Sequence, residues 1–295
     1  MNKKYSISLI IVIAATVASL ATIYFRHHTV AVLQPRGPIA LQERNLMLTA
    51  FGLMLIVVIP VFVITFFIVY KYREGHHGKY KPDFDHSNLL ESIWWLIPTI
   101  LIVVLSVITW HGTYKLNPYN KIASKQPNLN IEVVALDWKW LFIYPNQNVA
   151  SVNSLVIPVN TPVTFYITAD APMNSFWIPQ LGGQIYAMPG MDTQLNLMAT
   201  SPGNYYGSSA NISGTGFAGM HFDTHAVDTT SFNSWVSSAN KAKVSLTSDE
   251  YNKLDQPSIN NAVSYYSKPD PNLYTSIINK YMAPGAQANM MMEMD

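Results

Sequence analysis

The sequence predicts a membrane protein of mixed α and all-β structure, with a transmembrane helical hairpin followed by a β-sandwich and short C-terminal helices. Of its 295 residues, 49% are hydrophobic and only 12% are charged, against roughly 25% charged in an average soluble domain. Two long apolar stretches lie in the N-terminal part of the chain. Short, strand-like segments separated by proline- and glycine-containing turns follow them.

The N-terminal segment, residues 1–25, has Lys3 and Lys4 before an apolar run. This arrangement is typical of a secretory signal, and Ser19-Leu20-Ala21 offers a cleavage site. The run is also long enough to cross a bilayer of roughly 30 Å. We therefore expect either a cleaved signal peptide or a retained signal-anchor helix. The chain has no cysteine, which excludes disulfides, thiolate metal sites and lipid attachment through an N-terminal Cys.

The two apolar stretches, residues 46–70 and 92–111, are predicted to be transmembrane helices because both have the length and composition that a bilayer requires. Pro60 lies in the middle of the first stretch and should remove one backbone hydrogen bond there. Tryptophans mark the two ends of the second stretch, where an aromatic belt would place them. They are Trp94, Trp95 and Trp110.

The connection between these helices, residues 71–91, carries an excess of basic residues. They are Lys71, Arg73, Lys79 and Lys81. Because basic loops stay on the cytoplasmic side, we expect this loop to be cytoplasmic. Residues 26–45 are then a periplasmic N-terminal segment, and the chain after residue 111 is also periplasmic. The net charge of +1 gives no indication of a nucleic-acid partner.

Residues 125–230 are predicted to form the periplasmic β-sandwich. Apolar residues recur in short segments such as 131–136 and 163–167, with turn residues between them. The segment Asp137 to Pro145 places four aromatic residues on one face of a strand, as an aromatic core or docking face. These are Trp138, Trp140, Phe142 and Tyr144.

The C-terminal part is predicted to be a helical extension over residues 231–285, with helices at 231–242, from Ser248 and at 270–282. A methionine-rich segment, residues 286–295, ends the chain. We expect it to be a disordered tail, although thioethers also bind Cu(I).

The glycine- and serine-rich stretch 205–220 lies between two strand-like segments. Its spacing resembles the copper loop of cytochrome c oxidase subunit II, which reads Cys-x-Glu-x-Cys-x-x-x-His-x-x-Met with a further His upstream. The corresponding positions here are Ser209, Asn211, Ser213, Phe217 and Met220, with Asn174 upstream. Only the Met is retained. Because a binuclear copper centre needs thiolates and imidazoles, the sequence predicts that the loop has lost its metal.

Three further segments resemble subunit II of the bacterial bo-type, haem-copper ubiquinol oxidases. They are 42–60, 137–140 and 175–179. The resemblance implies a cupredoxin-like outer domain and a multi-subunit complex in the bacterial inner (plasma) membrane. Such a complex oxidises ubiquinol, reduces O2 to water and pumps protons.

This resemblance also implies the partners and the role of the chain. The main partner is subunit I, which would carry the haems and the remaining copper, and subunits III and IV and the lipid bilayer complete the set. This chain would hold no cofactor and no catalytic residue of its own. It is then a non-redox structural subunit of an enzyme complex.

Glu91 has two interpretations. The helix dipole stabilises a carboxylate at a helix N-terminus. On this interpretation, Glu91 has no functional role. The resemblance implies instead that a Glu at this place stands near the entrance of a proton pathway into the catalytic subunit, and carboxylates at a membrane mouth suit proton collection.

Two other functions stay open. A membrane-tethered periplasmic copper carrier would use His221 and His225, which have the same strand parity, together with the methionine-rich tail. A menaquinol oxidase subunit II would share most of the features above, and the missing copper ligands argue against a cytochrome c oxidase.

Overall fold

A computed structural model of the chain describes residues 30–73 and 86–282, together with residues 12, 16, 19, 20, 22 and 23. The described chain divides into two compact units, one from Leu41 to Asn120 and one that contains the residues up to Ala40 and from Lys121 onward. The predicted tail 286–295 and most of the predicted signal segment 1–25 lie outside the described residues.

The first unit is built from two long helices, α1 (Pro38–Lys71) and α2 (Asn88–Lys115). Both are long and apolar enough to cross a membrane, and α1 continues through Pro60. Their leucine, isoleucine, valine and phenylalanine side chains are mostly exposed, as a lipid environment requires. The predicted spans lie inside these helices. Both helices extend beyond the spans, so that Glu91 belongs to α2 and not to the connecting loop.

Among the described residues, the second unit contains eleven strands and three short α-helices. The strands, in chain order, are β1 Leu129–Leu136, β2 Lys139–Tyr144, β3 Val149–Val152, β4 Ser154–Pro158, β5 Val163–Ala169, β6 Asn174–Trp177, β7 Ile185–Ala187, β8 Thr193–Leu197, β9 Gly203–Ser209, β10 His221–Val227 and β11 Ser264–Ser267. The helices are α3 Thr229–Ala239, α4 Ser248–Leu254 and α5 Leu273–Lys280.

The strands form two sheets that pack as a sandwich. Sheet A has six strands in the order β11-β3-β2-β1-β5-β8, and sheet B has five in the order β4-β10-β9-β6-β7. The pairs β1–β5 and β4–β10 are parallel, and the other named strand pairs are antiparallel. The predicted β-sandwich is therefore confirmed.

Aromatic side chains fill the core between the sheets. Trp140, Phe142 and Tyr144 alternate along β2 and are fully buried, as the sequence pattern predicts. Phe142 lies 5.0 Å from the ring of Phe222 on sheet B. The prediction for Trp138 is wrong: β2 begins at Lys139, and Trp138 has φ +62° in the preceding turn. Trp138 is therefore not part of the strand, and it packs half-buried against the same core.

Tyr144 joins the two sheets directly. Its hydroxyl donates to the carbonyl of Val156 over 3.0 Å and accepts from the N–H of the same residue over 2.9 Å. Val156 lies on β4 of sheet B, and Tyr144 lies on β2 of sheet A. Burial raises the pKa of the Tyr144 hydroxyl, so the group stays neutral while it both donates and accepts.

The C-terminal extension covers the outer face of sheet A. Side chains of β1 and β2 on this face form a second core with the extension. Its buried members include Val134, Leu136, Leu141, Ile143, Leu246, Tyr251, Leu273, Ile277 and Ile278. The three predicted C-terminal helices are confirmed, and the structure adds a strand that the sequence did not predict, β11, which pairs with β3. Without β11, strand β3 would be the edge of sheet A and would have unpaired backbone N–H and C=O groups. Strand β11 forms hydrogen bonds with these groups.

Asp170, which follows β5, anchors the extension. Its side chain is fully buried and accepts from Tyr251 Oη at 2.7 Å, Lys280 Nζ at 2.7 Å and Tyr281 Oη at 2.5 Å. Burial opposes ionisation of Asp170, but the hydrogen bonds from Lys280 and the two tyrosines together lower its pKa. Three groups from two helical segments thus converge on one carboxylate.

The segment before α1 belongs to the second unit, where its backbone bonds to residues that follow β6 and β8. The N–H of Arg36 donates to the carbonyl of Gln180 over 2.7 Å, and the carbonyl of Arg36 accepts from the N–H of Thr200 over 2.8 Å. A Cβ on Gly37 would lie 2.5 Å from the carbonyl oxygen of Met198, so only glycine permits this approach.

We expect Tyr144→Phe to lower the free energy of unfolding by about 1–3 kcal/mol, because it leaves both backbone groups of Val156 buried without their partner. Urea unfolding of the purified chain in detergent, followed by circular dichroism, measures this change. Tyr186→Phe is the matched control, because Tyr186 is 51% exposed. Equal midpoints for the two variants would contradict the proposed role of Tyr144.

Candidate functional site

The loop that resembles a copper site connects β9 to β10, which are neighbours in sheet B. It contains a single 3-10 turn at Phe217–Gly219. Strand β6 lies on the other side of β9, and its Phe176 pairs with Ser209. Sheet pairing therefore brings Asn174, at the start of β6, next to the loop.

Three of the positions that the sequence resemblance aligns with copper ligands are joined by hydrogen bonds. Ser209 Oγ donates to Asn174 Oδ1 over 2.8 Å, and Asn174 Nδ2 donates to the carbonyl of Pro172 over 2.7 Å. Asn211 Nδ2 donates to the carbonyl of Met173 over 3.1 Å. Each of these neutral side chains is used to hold the loop against the segment that leads into β6.

The other three positions have separate surroundings. Met220 is 2% exposed and its side chain belongs to the core between the sheets, while its carbonyl accepts from the N–H of Ser209 over 3.2 Å. Phe217 and Ser213 are half-buried, and Ser213 Oγ is a buried atom with no hydrogen-bond partner among the described residues. The structure thus brings together Asn174, Ser209 and Asn211. Met220 is joined to this group only by the hydrogen bond between its carbonyl and the N–H of Ser209.

These residues do not fit a binuclear copper centre. The side-chain donors at the site are a hydroxyl and two amides, whereas copper in such a centre is held by thiolates and imidazoles. Within residues 30–73 and 86–282, no cluster of three or more His, Cys, Asp or Glu side chains is arranged to hold a metal ion.

Trp138 supports the loop from the side. Its indole Nε1–H donates to the carbonyl of Ser213 over 3.4 Å. A Cβ on Gly216 would lie only 2.4 Å from the indole ring, and Gly214 has φ +121°. The sequence contained the signal for this contact, because two glycines two residues apart permit a flat ring to lie against the backbone. Sequence reasoning placed Trp138 on a strand face, as part of an aromatic core or docking face, and did not predict its contact with the loop.

Lys139 is a second feature that sequence reasoning missed. It is 1% exposed, and its Nζ donates to the carbonyl of Gln256 over 2.8 Å and to Ser258 Oγ over 2.7 Å. Burial lowers the pKa of Lys139, and the charges of Asp255 and Asp137 act in the opposite direction. The Asp-Trp-Lys-Trp segment therefore contacts the loop through Trp138 and the extension through Lys139.

Glu91 lies in the first turn of α2 with its side chain exposed. Its N–H donates to the carbonyl of Ser87 over 2.9 Å, and Ser87 is the N-cap residue of the helix. The carboxylate is therefore placed at a helix N-terminus, as both interpretations require.

His221 and His225 lie on the outward face of β10, with Asp223 between them. His221 stacks on the ring of Tyr206 with a centroid distance of 5.7 Å. His225 pairs with Asn204 on β9. The prediction that the two histidines share a face is confirmed, and His221 is engaged by an aromatic ring.

Comparison with known families supports the copper-loop resemblance. Residues 102–227 match the family model described as the periplasmic domain of cytochrome c oxidase subunit II. Residues 241–285, which form most of the extension, match the model described as the COX aromatic rich motif. The segment that covers sheet A therefore matches a family model of its own.

Two curated relatives cover most of the chain. The cytochrome bo(3) ubiquinol oxidase subunit 2 of Pseudomonas putida is 47% identical over 251 residues, which are 85% of this chain and 80% of the relative. The ubiquinol oxidase subunit 2 of Acetobacter aceti is 46% identical over 254 residues, 85% of this chain and 82% of the relative. A solved structure, the periplasmic domain of subunit II of cytochrome oxidase from Bradyrhizobium japonicum, is 25% identical with a TM-score of 0.38. It covers 41% of this chain and 98% of that chain.

The fold and the loop define a subunit II of the haem-copper oxidase type. At 46–47% identity over most of both chains, the protein belongs to the family of bo-type ubiquinol oxidase subunit II. The family that the sequence pattern indicated is confirmed.

We expect Gly216→Ala to lower the free energy of unfolding by about 1–3 kcal/mol, because the new methyl group overlaps the indole of Trp138. The cost should disappear in a Trp138→Ala background, where the indole is gone, and a double-mutant cycle measures this coupling.

Gly52→Ala is the control for this cycle, since nothing lies within 4 Å of a Cβ at Gly52. Circular dichroism in urea follows all variants without depending on tryptophan fluorescence. An additive cycle would show that Trp138 does not support the loop through Gly216.

Proposed function

We propose that this chain is the non-redox, structural subunit II of a proton-pumping quinol oxidase complex, which oxidises ubiquinol and reduces O2 to water in aerobic respiration. The observation that carries this proposal is the hydrogen bond between Ser209 and Asn174. Two positions that hold metal ligands in the copper-bearing family are here bonded to each other. Membership of the bo-type subunit II family supports the assignment to a quinol oxidase.

The loss of the metal fits a change of electron donor. A soluble cytochrome delivers electrons from outside the membrane and needs a copper acceptor in the outer domain. A quinol is dissolved in the bilayer and can reduce a haem of the partner subunit directly. Haems and the remaining copper supply the redox chemistry in subunit I, and this chain supplies support.

The two long helices supply the membrane anchor. Their exposed apolar side chains suit lipid and the helices of partner subunits, and we assign subunit I as the main partner, with subunits III and IV in the same complex. Lys71 and Arg73 at the end of α1 support a cytoplasmic connection. The β-sandwich then lies in the periplasm of a bacterium, and the anchor lies in its inner membrane.

Glu91 is our candidate for proton uptake. It is exposed in the first turn of α2, next to the basic connection that we assign to the cytoplasm. A carboxylate there can collect protons and pass them to a partner subunit.

Purification tests the assignment. We expect an affinity-tagged chain to co-purify with haem-containing partners from detergent-solubilised membranes. The purified complex should consume oxygen when quinol is supplied, and it should show no spectrum of a binuclear copper centre. Metal analysis and a reduced-minus-oxidised spectrum measure this. A haem-free chain with stoichiometric copper would contradict the proposal and favour a copper carrier, and His221→Ala with His225→Ala would then remove the metal.

Substitution of Glu91 tests the proton pathway. We expect Glu91→Gln to reduce quinol-supported turnover of the assembled oxidase roughly 2- to 10-fold, because the amide cannot take up a proton. Glu91→Asp, which keeps a carboxylate, should retain most of the activity. Glu250→Gln is the control, since Glu250 lies in α4 and pairs with Lys253 at 2.9 Å. Unchanged quinol turnover and unchanged proton pumping in Glu91→Gln would contradict the proposed role of this residue.

A further inference from the structure

A groove of about 450 Å³ lies between the start of α1 and the end of α2. All the residues that line it belong to the first unit. At its base, Gly112 of α2 lies against Leu46 of α1, where a Cβ on the glycine would be 3.2 Å from Leu46 Cδ1. Because glycine has no side chain, the helices approach closely at this point and the space beside them stays open.

The lining of the groove changes from polar to chiefly apolar along its length. Toward the helix ends it contains Gln42 and Lys115, next come Asn45 and His111, and toward the middle of the helices lie Val107 and Ile108. The hydroxyl of Thr49, in the deeper part, donates to the carbonyl of Asn45 over 2.8 Å and is therefore used within α1. The groove is thus amphipathic along the helix axis.

Aromatic residues indicate the depth of the polar end in a membrane. Trp110, which precedes His111, is 65% exposed, and its ring lies 5.2 Å from that of Tyr114. Exposed tryptophan and tyrosine side chains collect at the interface between the bilayer and water. Lys115 follows Tyr114 directly, so its ammonium group can extend to the level of the lipid phosphates.

The polar end of the groove carries positive charge. Lys115 is exposed, and Arg44 Nη2 donates to Asn45 Oδ1 over 3.1 Å, which brings a guanidinium group to the edge of the groove. Because Asn45 accepts this bond through Oδ1, its Nδ2 group remains a donor. In the part of the chain that the structure describes, no carboxylate belongs to the lining. The charge of the groove therefore suits an anion.

Two further groups at this end lack a partner of their own. Gln42 Oε1 and Arg44 Nε are buried atoms without a hydrogen-bond partner among the described residues. His111 Nδ1 lies 2.9 Å from the carbonyl oxygen of Val107, so Nδ1 carries a proton and Nε2 of the neutral ring is an acceptor. Because buried polar groups are normally paired, this pattern indicates a polar ligand from outside the chain.

We propose that the groove binds an anionic glycerophospholipid whose headgroup carries a hydroxyl, as phosphatidylglycerol does. Lys115, Arg44 and the amide of Asn45 bind the phosphate. A headgroup hydroxyl donates to Nε2 of His111, and the acyl chains continue along the apolar inner part of the groove. A phospholipid changes from charged to apolar in the same direction, whereas an apolar helix of a partner subunit would bury Lys115 without a countercharge.

This site rests on the placement of the two helices in a bilayer and not on the quinol chemistry proposed above. Lipid titration tests it on the tagged full-length chain, purified with any subunits that accompany it and washed free of lipid in detergent. Native mass spectrometry then counts the phospholipid molecules that remain on this chain after it is released from the complex. We expect phosphatidylglycerol to bind more tightly than phosphatidylcholine, which is zwitterionic.

Substitution of Lys115 tests the contact with the phosphate. Lys115→Ala should weaken the binding of phosphatidylglycerol about 5-fold, because one cation at the headgroup is lost, and Lys115→Arg should retain it. Lys121→Ala is the matched control, since Lys121 is an exposed cation that follows α2 and does not line the groove. Its affinity should equal that of the wild type.

His111→Phe tests the contact with the headgroup hydroxyl. It should weaken the binding of phosphatidylglycerol and leave unchanged the binding of phosphatidylethanol, which is anionic but has no headgroup hydroxyl. Equal affinities of the wild type for phosphatidylglycerol and phosphatidylcholine would overturn the proposal. Equal losses in Lys115→Ala and Lys121→Ala would do the same, as would the absence of bound phospholipid, which a groove closed by a partner helix would produce.

Discussion

The apolar character of both faces of sheet A is the constraint on which the rest of the outer unit depends. One face forms the core between the sheets, and the other carries Val134, Leu136, Leu141 and Ile143, all buried. Exposed, these side chains would cost roughly 25 cal/mol per Å² of apolar surface. The extension removes that cost, since it lays α4 and α5 on this face and adds β11 to its edge. Asp170 and Lys139 are buried under this cover.

The loop between β9 and β10 is joined to β6 and to the end of β9 by contacts among neutral side chains and backbone groups. Here the joining contacts are the Ser209–Asn174 hydrogen bond, the backbone bond between Ser209 and Met220 and the packing of the glycines on Trp138. Each is worth on the order of 1 kcal/mol, so several together are needed to hold one conformation.

Residue patterns of short range were sufficient to predict much of this chain. The apolar stretches predicted both long helices, and the alternation at Trp140, Phe142 and Tyr144 predicted a buried strand face. The positions that correspond to copper ligands were assigned by spacing, and that assignment stays a prediction. Trp138 was misplaced because a single left-handed residue before β2 breaks the alternation, and no neighbouring residue type demands that conformation. The strand β11 was missed because its pairing partner, β3, lies more than 100 residues earlier in the chain.

The sequence by itself determined the membrane-spanning composition, the sandwich class, the family and the absence of thiolate ligands, because each depends on residue types or on local spacing. The tertiary structure decided which polar groups are buried together. Asp192 is an ordinary carboxylate in the sequence, and Tyr274 lies 82 residues from it. The two side chains meet because the extension folds back over the outer face of sheet A. The pKa of a group depends on its solvent and its neighbours, and those exist only once the chain has folded.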